Sequence, residues 1–119
     1  MDIEAQARKF QKDLSSGTVS LAMLAVLAAA REPLYGYQIA KRLEEQAGGT
    51  LAGKQSALYP VLRNQEAAGL LASTVEPSLA GPPRRYYTIT ADGRAVLKAW
   101  TTIWIETRNS IDAVLEEGL

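Results

Sequence analysis

The chain has 119 residues, of which 47% are hydrophobic and 22% charged, and 13 basic and 13 acidic residues give it a net charge of zero. This length suits a single domain with one modest core. Because cysteine and histidine are both absent, disulfides, thiolate nucleophiles, the usual catalytic triads and the commonest metal ligands are excluded. We therefore expect no metal, no cofactor and no enzymatic activity.

An apolar run, Leu21 to Ala30, follows a segment that carries basic residues. This layout resembles a signal peptide, but acidic residues interrupt the basic segment, and ten apolar residues are too few to span a bilayer. We predict a buried core helix over residues 18–30. A polar, helix-capable segment, 1–14, precedes it, and Ser15-Ser16-Gly17 separates the two. The expected compartment is the cytoplasm, without membrane attachment.

Two further helices are predicted between residues 35 and 68. Tyr35, Ile39 and Leu43 lie four residues apart and indicate a helix over 35–47, which Gly48-Gly49 ends.

The next helix is predicted to start between Lys54 and Ser56, with Ser56 as an acceptable N-cap, and to end before Gly69. This start keeps Pro60 close to the first turn, where its missing N–H costs little. The buried face of this helix is predicted to contain Leu58, Val61 and Leu62.

Residues 70–76 and 84–90 are predicted to form a β-hairpin, because β-branched and aromatic residues in them favour strands and the connection 77–83 is rich in Pro, Gly and Ser. Thr90 is predicted to cap the last helix. Apolar residues recur along this helix at spacings of three and four, over about seven turns. Such a helix projects from a small globule, so its stripe needs a partner. The stripe comprises Leu97, Trp100, Ile103, Trp104, Ile111, Val114 and Leu115.

Three helices, a hairpin and a long helix are the element order of a winged helix–turn–helix. The predicted fold class is mainly α with a small β-hairpin wing, followed by a long C-terminal helix that forms a homodimer. We predict an N-terminal helical arm at 1–17, a winged helix–turn–helix DNA-binding domain at 18–90 and a C-terminal dimerisation helix at 91–119. The helix at 54–68 would enter the DNA major groove.

Four motifs, in order, carry a family resemblance: Leu34-Tyr35-Gly36-Tyr37-Gln38-Ile39, Ala57-Leu58-Tyr59-Pro60-Val61-Leu62, Gly69-Leu70, and the stretch from Gly81 through Arg84-Arg85-Tyr86-Tyr87 and Thr90 to Gly93. Over residues 18–97 the chain resembles the PadR family of transcriptional regulators, and its length resembles the short class with one C-terminal helix. The resemblance implies a cytoplasmic homodimer that binds a palindromic operator in double-stranded DNA.

Two positions depart from the family pattern. Gln65 stands where the family usually has Leu, which predicts a less buried last turn of the recognition helix or a hydrogen bond from the amide. Pro-Pro-Arg-Arg in the wing replaces Arg-Pro-Arg-Lys, so the wing has one basic residue fewer.

Lys54, Gln55 and Ser56 are candidate base contacts, because the first residues of a recognition helix reach the base edges. Lysine can donate to guanine, and glutamine can bond adenine in a bidentate way. Ser56 is alternatively only a cap.

Five more residues are candidate DNA contacts. Tyr37 and Tyr59 can bond phosphates through their hydroxyls or can pack in the core with exposed tips. Arg63 is a candidate phosphate contact or an idle surface residue. Arg84 and Arg85 alternate across a strand, so only one of them can point at DNA from a given face.

The charge is unevenly distributed. Residues 31–64 carry five basic against three acidic residues, 84–98 carry four against one, and 99–119 carry one against four. A dimer with basic ends and an acidic waist fits this distribution and explains how a neutral chain could bind DNA. The alternative is a mixed, solvated surface.

Trp100 and Trp104 lie four residues apart in the last helix. They either belong to a hydrophobic dimer interface or form an aromatic effector site, and the family resemblance implies that a tryptophan at the position of Trp104 stacks on planar ligands between subunits. Arg108 suits an anionic or neutral ligand. The predicted dimerisation residues are Leu97, Ile103, Ile111 and Leu115.

The function predicted from these features is sequence-specific repression of transcription, relieved by a small aromatic ligand at the dimer interface. The alternative is a winged-helix module that binds another protein.

Overall fold

The computed structural model describes residues 1–48, 51 and 55–119, with residues 55 and 56 described by their backbone alone. The three strands form one antiparallel sheet in the order β1-β3-β2. This mainly helical architecture with a small sheet is that of a winged helix–turn–helix, which confirms the predicted fold of the single chain. The described residues form the elements α1 (Ile3–Ala29), β1 (Leu34–Tyr35), α2 (Gly36–Ala47), α3 (Gln55–Ala67), β2 (Leu71–Glu76), β3 (Arg84–Ile89) and α4 (Ala91–Gly118).

One hydrophobic core joins the C-terminal half of α1 to α2, α3 and the sheet. Each of these elements contributes one apolar face, as its spacing predicts. The core residues are Met23, Leu24, Val26, Leu27, Leu34, Ile39, Leu43, Leu58, Leu62, Leu70, Leu71 and Tyr87.

α1 is a single helix, so the predicted separation at Ser15-Ser16-Gly17 is wrong. A glycine inside a helix costs only about 1 kcal/mol relative to alanine, and good helix formers are frequent further along the helix on both sides, in residues 4–14 and 21–29. The polar residues of the segment bond within the helix: Gln11 Nε2 donates to Ser15 Oγ at 2.9 Å, and Thr18 Oγ1 donates to the Leu14 carbonyl at 3.0 Å. The N-terminal arm and the core helix are therefore one continuous rod.

By length and composition α1 could cross a membrane, and among the described residues no other helix passes this test. The apolar run at 21–30 thus lies within a longer helix, to which the length argument against spanning does not apply. However, Met23, Leu24, Val26 and Leu27 are buried in the protein core. A core helix passes the same test of length and composition.

The bounds of α3, β2 and β3 lie close to their predicted positions. Ser56, however, lies inside α3 and is not its N-cap, and Pro60 lies beyond the first turn. The two-residue strand β1 is too short for a periodic signal and was not predicted. It pairs with β3 through Leu34 opposite Tyr87 and Tyr35 opposite Tyr86.

Gln65 is a polar residue within the core, with only 4% of its surface exposed. Its Nε2 donates to the backbone carbonyl of Ser20 in α1 at 2.9 Å, which confirms the predicted hydrogen bond. Its Oε1 has no hydrogen-bond partner among the described residues. The amide therefore joins the last turn of α3 to the middle of α1.

The start of α4 is fixed against the beginning of β2. Thr90 caps the helix as predicted, since its Oγ1 accepts from the Gly93 N–H at 2.9 Å. The Thr90 N–H donates to the Leu70 carbonyl at 3.0 Å, and its hydroxyl donates to the Gly69 carbonyl at 2.7 Å. Gly93 is buried here, and a side chain on it would overlap the Leu70 carbonyl oxygen.

The apolar stripe of α4 is divided along its length. Its first part packs against the core through Val96, Leu97 and Trp100. Every residue from 101 to 119 is exposed, including Ile103, Ile111 and Leu115. Of the predicted dimerisation residues, Leu97 thus packs on the chain's own core, while the other three remain open.

Two glycine variants test the packing of the α4 start. Gly93→Ala is expected to lower the free energy of unfolding by about 1–3 kcal/mol, because the new methyl group meets backbone that cannot move aside. Gly17→Ala, where a methyl group meets nothing within 4 Å, is expected to raise it by about 0.5–1 kcal/mol. Denaturant unfolding measures both. Equal effects of the two variants would contradict this account.

Candidate nucleic-acid interface

The start of α2 is in close contact with α3. The Tyr35 N–H donates to Gln38 Oε1 at 3.1 Å and so fixes the first turn of α2. Gly36 comes next and is buried. A Cβ on Gly36 would lie 2.7 Å from Cε1 and 2.9 Å from the hydroxyl oxygen of Tyr59. A side chain on residue 36 would therefore displace the Tyr59 ring, because the Tyr59 side chain of α3 lies directly against the start of α2.

Three of the predicted DNA contacts lie on the surface of α2 and α3. Tyr37 is 54% exposed and stacks at 6.3 Å on Tyr35, and Tyr59 is 37% exposed. Arg63 is exposed one turn beyond Tyr59.

The predicted base-reading residues are less fully described. Lys54 lies outside the described residues. Gln55 and Ser56 are the first described residues of α3, and only their backbone is described. Base contact by these three residues therefore stays a prediction.

The wing contributes two exposed arginines with different neighbours. The Arg84 guanidinium carbon lies 4.5 Å from the centre of the Tyr35 ring, in a cation–π contact. Arg85 Nη1 donates to Ser73 Oγ at 2.9 Å, and the Ser73 hydroxyl donates to Glu66 Oε2 at 2.6 Å. Sequence reasoning identified both arginines but missed Tyr35, Ser73 and Glu66 as their partners.

Tyr86 and Tyr87 serve the packing of the wing. Tyr86 meets the Tyr35 ring edge-on at 5.4 Å. Tyr87 belongs to the core, where burial raises the pKa of its phenol above the usual value near 10, against the opposing effect of the Arg85 guanidinium. The Tyr87 phenol is thus neutral at physiological pH and contributes no charge to the surface.

A hollow of about 400 Å³ lies between the wing and the starts of α2 and α3. Aromatic rings and both wing arginines surround it, so it combines flat apolar surface with positive charge. Its lining includes Tyr35, Gly36, Tyr59, Pro83, Arg84 and Arg85.

The predicted effector residues lie away from this face, where α1 passes α4. Trp104 is 36% exposed and borders two adjoining hollows of about 520 and 360 Å³. Leu14 and Leu21 of α1 border both hollows, and Trp100 borders the larger one. Trp100 itself packs against the core. The structure thus places both tryptophans along one groove between the helices.

Within the described ranges, no group of three or more acidic side chains is placed to hold a metal ion. The side chains between the wing and the starts of α2 and α3 instead offer hydrogen-bonding groups and positive charge. A helix beside a basic β-hairpin, with tyrosines at their junction, defines a winged helix–turn–helix domain of the DNA-binding class.

Comparison with known proteins identifies the family. The model of the transcriptional regulator PadR-like family matches residues 23–99. A PadR family transcriptional regulator from Eggerthella lenta is 30% identical in sequence, with a TM-score of 0.76 over 95% of each chain. A transcriptional regulator from Clostridium thermocellum is 26% identical, with a TM-score of 0.73 over 85% of this chain and 93% of that one.

A protein of Lysinibacillus sphaericus without an assigned function is 28% identical over 82 residues, which are 69% of this chain and 75% of that protein. The chain belongs to the PadR-like family of transcriptional regulators. It is a DNA-binding regulator of transcription and not an enzyme.

Proposed function

We propose that this protein is a cytoplasmic repressor that binds a palindromic operator as a homodimer and leaves it when a small aromatic ligand binds at the dimer interface. The observation that carries this proposal is the separation of two surfaces. The wing and α3 carry Tyr59, Arg63, Arg84 and Arg85, whereas α4 carries an open apolar face beyond residue 100.

The charged surface suits a duplex. The exposed arginines of α3 and the wing can bond phosphates, which position a protein on DNA, while the first residues of α3 can reach base edges. Residues 99–119 carry four acidic residues against one basic residue, so α4 would be repelled by phosphates. The wing and α3 would therefore contact DNA, while α4 would contact the partner subunit.

DNA binding is tested by titrating the protein with its own upstream DNA and with a scrambled duplex, at about 50 and 200 mM salt. Arg63→Ala is expected to weaken binding to both duplexes and to reduce the slope of log K against log salt by about 0.9, the value for one lost phosphate contact. Lys54→Ala is expected to lose about 10-fold on the upstream DNA alone, since each base contact contributes about 1–3 kcal/mol.

Arg8→Ala is the matched control, because Arg8 is exposed on the α1 arm and its removal changes the net charge equally. Repression is read by transcription from a template with the bound site, which should fall as protein is added. Equal binding of both duplexes by all variants, or a rise in transcription, would contradict a sequence-specific repressor.

The dimer is supported by exposed apolar side chains on two neighbouring helices. α4 exposes Ile103, Ile111 and Leu115, and the arm of α1 exposes Phe10 and Leu14. A second copy related by a twofold axis would cover the same surface on both subunits. Contiguous apolar surface of this kind marks an interaction site. Two recognition helices would then lie about one turn of DNA apart, roughly 34 Å.

The mass in solution tests the dimer. The wild-type protein is expected to have twice the chain mass of 12.9 kDa by light scattering, and Ile111→Glu is expected to shift it to the monomer, because a carboxylate in an apolar interface is strongly disfavoured. Asn109→Glu is the matched control, since Asn109 is exposed and lies about 200° around the helix from Ile111. A monomeric wild type, or equal dissociation by both variants, would contradict the proposed interface.

Ligand binding is tested with an anionic aromatic probe, anilinonaphthalene sulfonate, since Arg108 lies one turn beyond Trp104. The probe is expected to quench the emission of the Trp100→Phe variant, whose remaining tryptophan is Trp104, and to lower operator affinity. Trp104→Leu is expected to weaken probe binding at least 10-fold, because the stacking surface is lost. Cationic proflavine is the charge control. Equal probe binding by Trp104→Leu and wild type would contradict a site at Trp104.

A further inference from the structure

Two adjacent arginines of the wing have different surroundings. Successive residues of a strand point to opposite faces of the sheet. Arg84 therefore shares a face with Tyr86 and, across the β1–β3 pairing, with Tyr35. Arg85 shares the other face with Tyr87, which packs into the core beneath α3. Arg84 and Arg85 thus carry the same charge and are both exposed, but they have different neighbours.

Arg84 lies on a fixed aromatic platform. The Tyr35 ring below it is held edge-on by Tyr86 at 5.4 Å, stacks on Tyr37 at 6.3 Å, and belongs to a residue whose N–H bonds Gln38 at the start of α2. The attraction of a cation to a ring face depends on the charge of the guanidinium and does not require its five N–H donors. The Arg84 donors therefore remain able to bond a phosphate.

No acidic side chain competes for Arg84 in the described part of the chain. Glu76 is its partner across the β2–β3 ladder, yet no ion pair or side-chain hydrogen bond involves Arg84 among the described residues. The cation–π contact alone orients the guanidinium. Such a contact contributes little binding energy at an exposed site but limits where the charge can point.

Arg85 is directed back into the protein. Its Nη1 bonds Ser73 of β2, and Ser73 bonds the carboxylate of Glu66 in the last turns of α3. This chain of two hydrogen bonds links β3, β2 and the recognition helix. The positive charge of Arg85 is thereby matched by a carboxylate within the same network.

We propose that Arg84 is the phosphate-binding residue of the wing, that Tyr35 is the positioning residue that orients it, and that Arg85 holds the wing against α3 through Ser73 and Glu66. This inference rests on the proposed function, in which α3 and the wing together bind duplex DNA. It decides which of the two arginines binds DNA, a choice that their alternation in the sequence leaves open.

The salt dependence of binding to one duplex separates the two arginines. Arg84→Ala is expected to weaken binding about 10-fold at low salt and to reduce the slope of log K against log salt by about 0.9. Arg85→Ala is expected to keep the wild-type slope but to lower the melting temperature, and Ser73→Ala is expected to behave in the same way. Arg8→Ala serves again as the control for net charge.

Variants of Tyr35 test its positioning role. Tyr35→Phe keeps the aromatic face and is expected to bind with wild-type affinity and slope. Tyr35→Leu is expected to lose about 3-fold in affinity, and to add nothing to the loss caused by Arg84→Ala when the two are combined. In the free protein, the NMR signal of the Arg84 Nε–H is expected at high field in wild type and Tyr35→Phe, and at an ordinary position in Tyr35→Leu.

Three results would overturn the inference: equal slope changes for Arg84→Ala and Arg85→Ala, equal weakening by Tyr35→Phe and Tyr35→Leu, or no high-field signal for Arg84. The comparison of the arginine variants stands even if Tyr35→Leu does not fold, because both arginines are exposed. A wild-type protein that binds no duplex at low salt would overturn the proposed function itself. Wild-type binding with unchanged Arg84→Ala would overturn only the assignment of the wing residues.

Discussion

The carbonyl oxygen of Leu70 is the point at which four elements of the fold meet. Leu70 lies between α3 and β2, and its carbonyl accepts a hydrogen bond from the backbone N–H of Thr90, which joins β3 to α4. Gly93 packs against the same oxygen with no room for a side chain. The last helix can therefore leave the sheet in one direction only. That direction takes α4 alongside α1 and away from the wing, which separates the DNA-facing surface from the apolar surface proposed to bind a second subunit.

Much of this junction could be predicted because its signals are local. Thr90 and Gly93 form a capping pattern three residues apart, and the strands on either side of residues 77–83 were located to within a residue. The uninterrupted α1 was not predicted, because the balance between one glycine and the flanking helix formers depends on summed small terms. The strand β1 was also missed. Two residues give no periodicity, and their pairing with β3 is a tertiary interaction.

The candidate site shows the same limit at the level of side chains. The sequence identified the two wing arginines and their alternation, but it did not distinguish them, because their partners come from other elements: Tyr35 from β1, and Ser73 and Glu66 from β2 and α3. Similarly, the stripe of α4 is continuous in sequence. Leu97 and Trp100 lie over the core and Ile111 lies beyond it. Periodicity predicts which face of a helix is apolar, but it does not predict which part of that face the core covers.

The continuity of α1 gives the molecule a mechanical property. A helix of 27 residues is a stiff rod about 40 Å long. Its inner end is clamped by the core at Met23 and Leu27, its middle is tied to α3 by the Gln65 amide, and its outer end carries Ile3 and Phe10 in the open. The inner part of this helix is thus held by the DNA-binding domain, while its outer part extends away from it. A tilt of about 5° moves the end of a 20 Å arm by roughly 2 Å. No break in the helix separates the exposed arm from the Ser20 carbonyl, where the Gln65 amide joins α1 to α3.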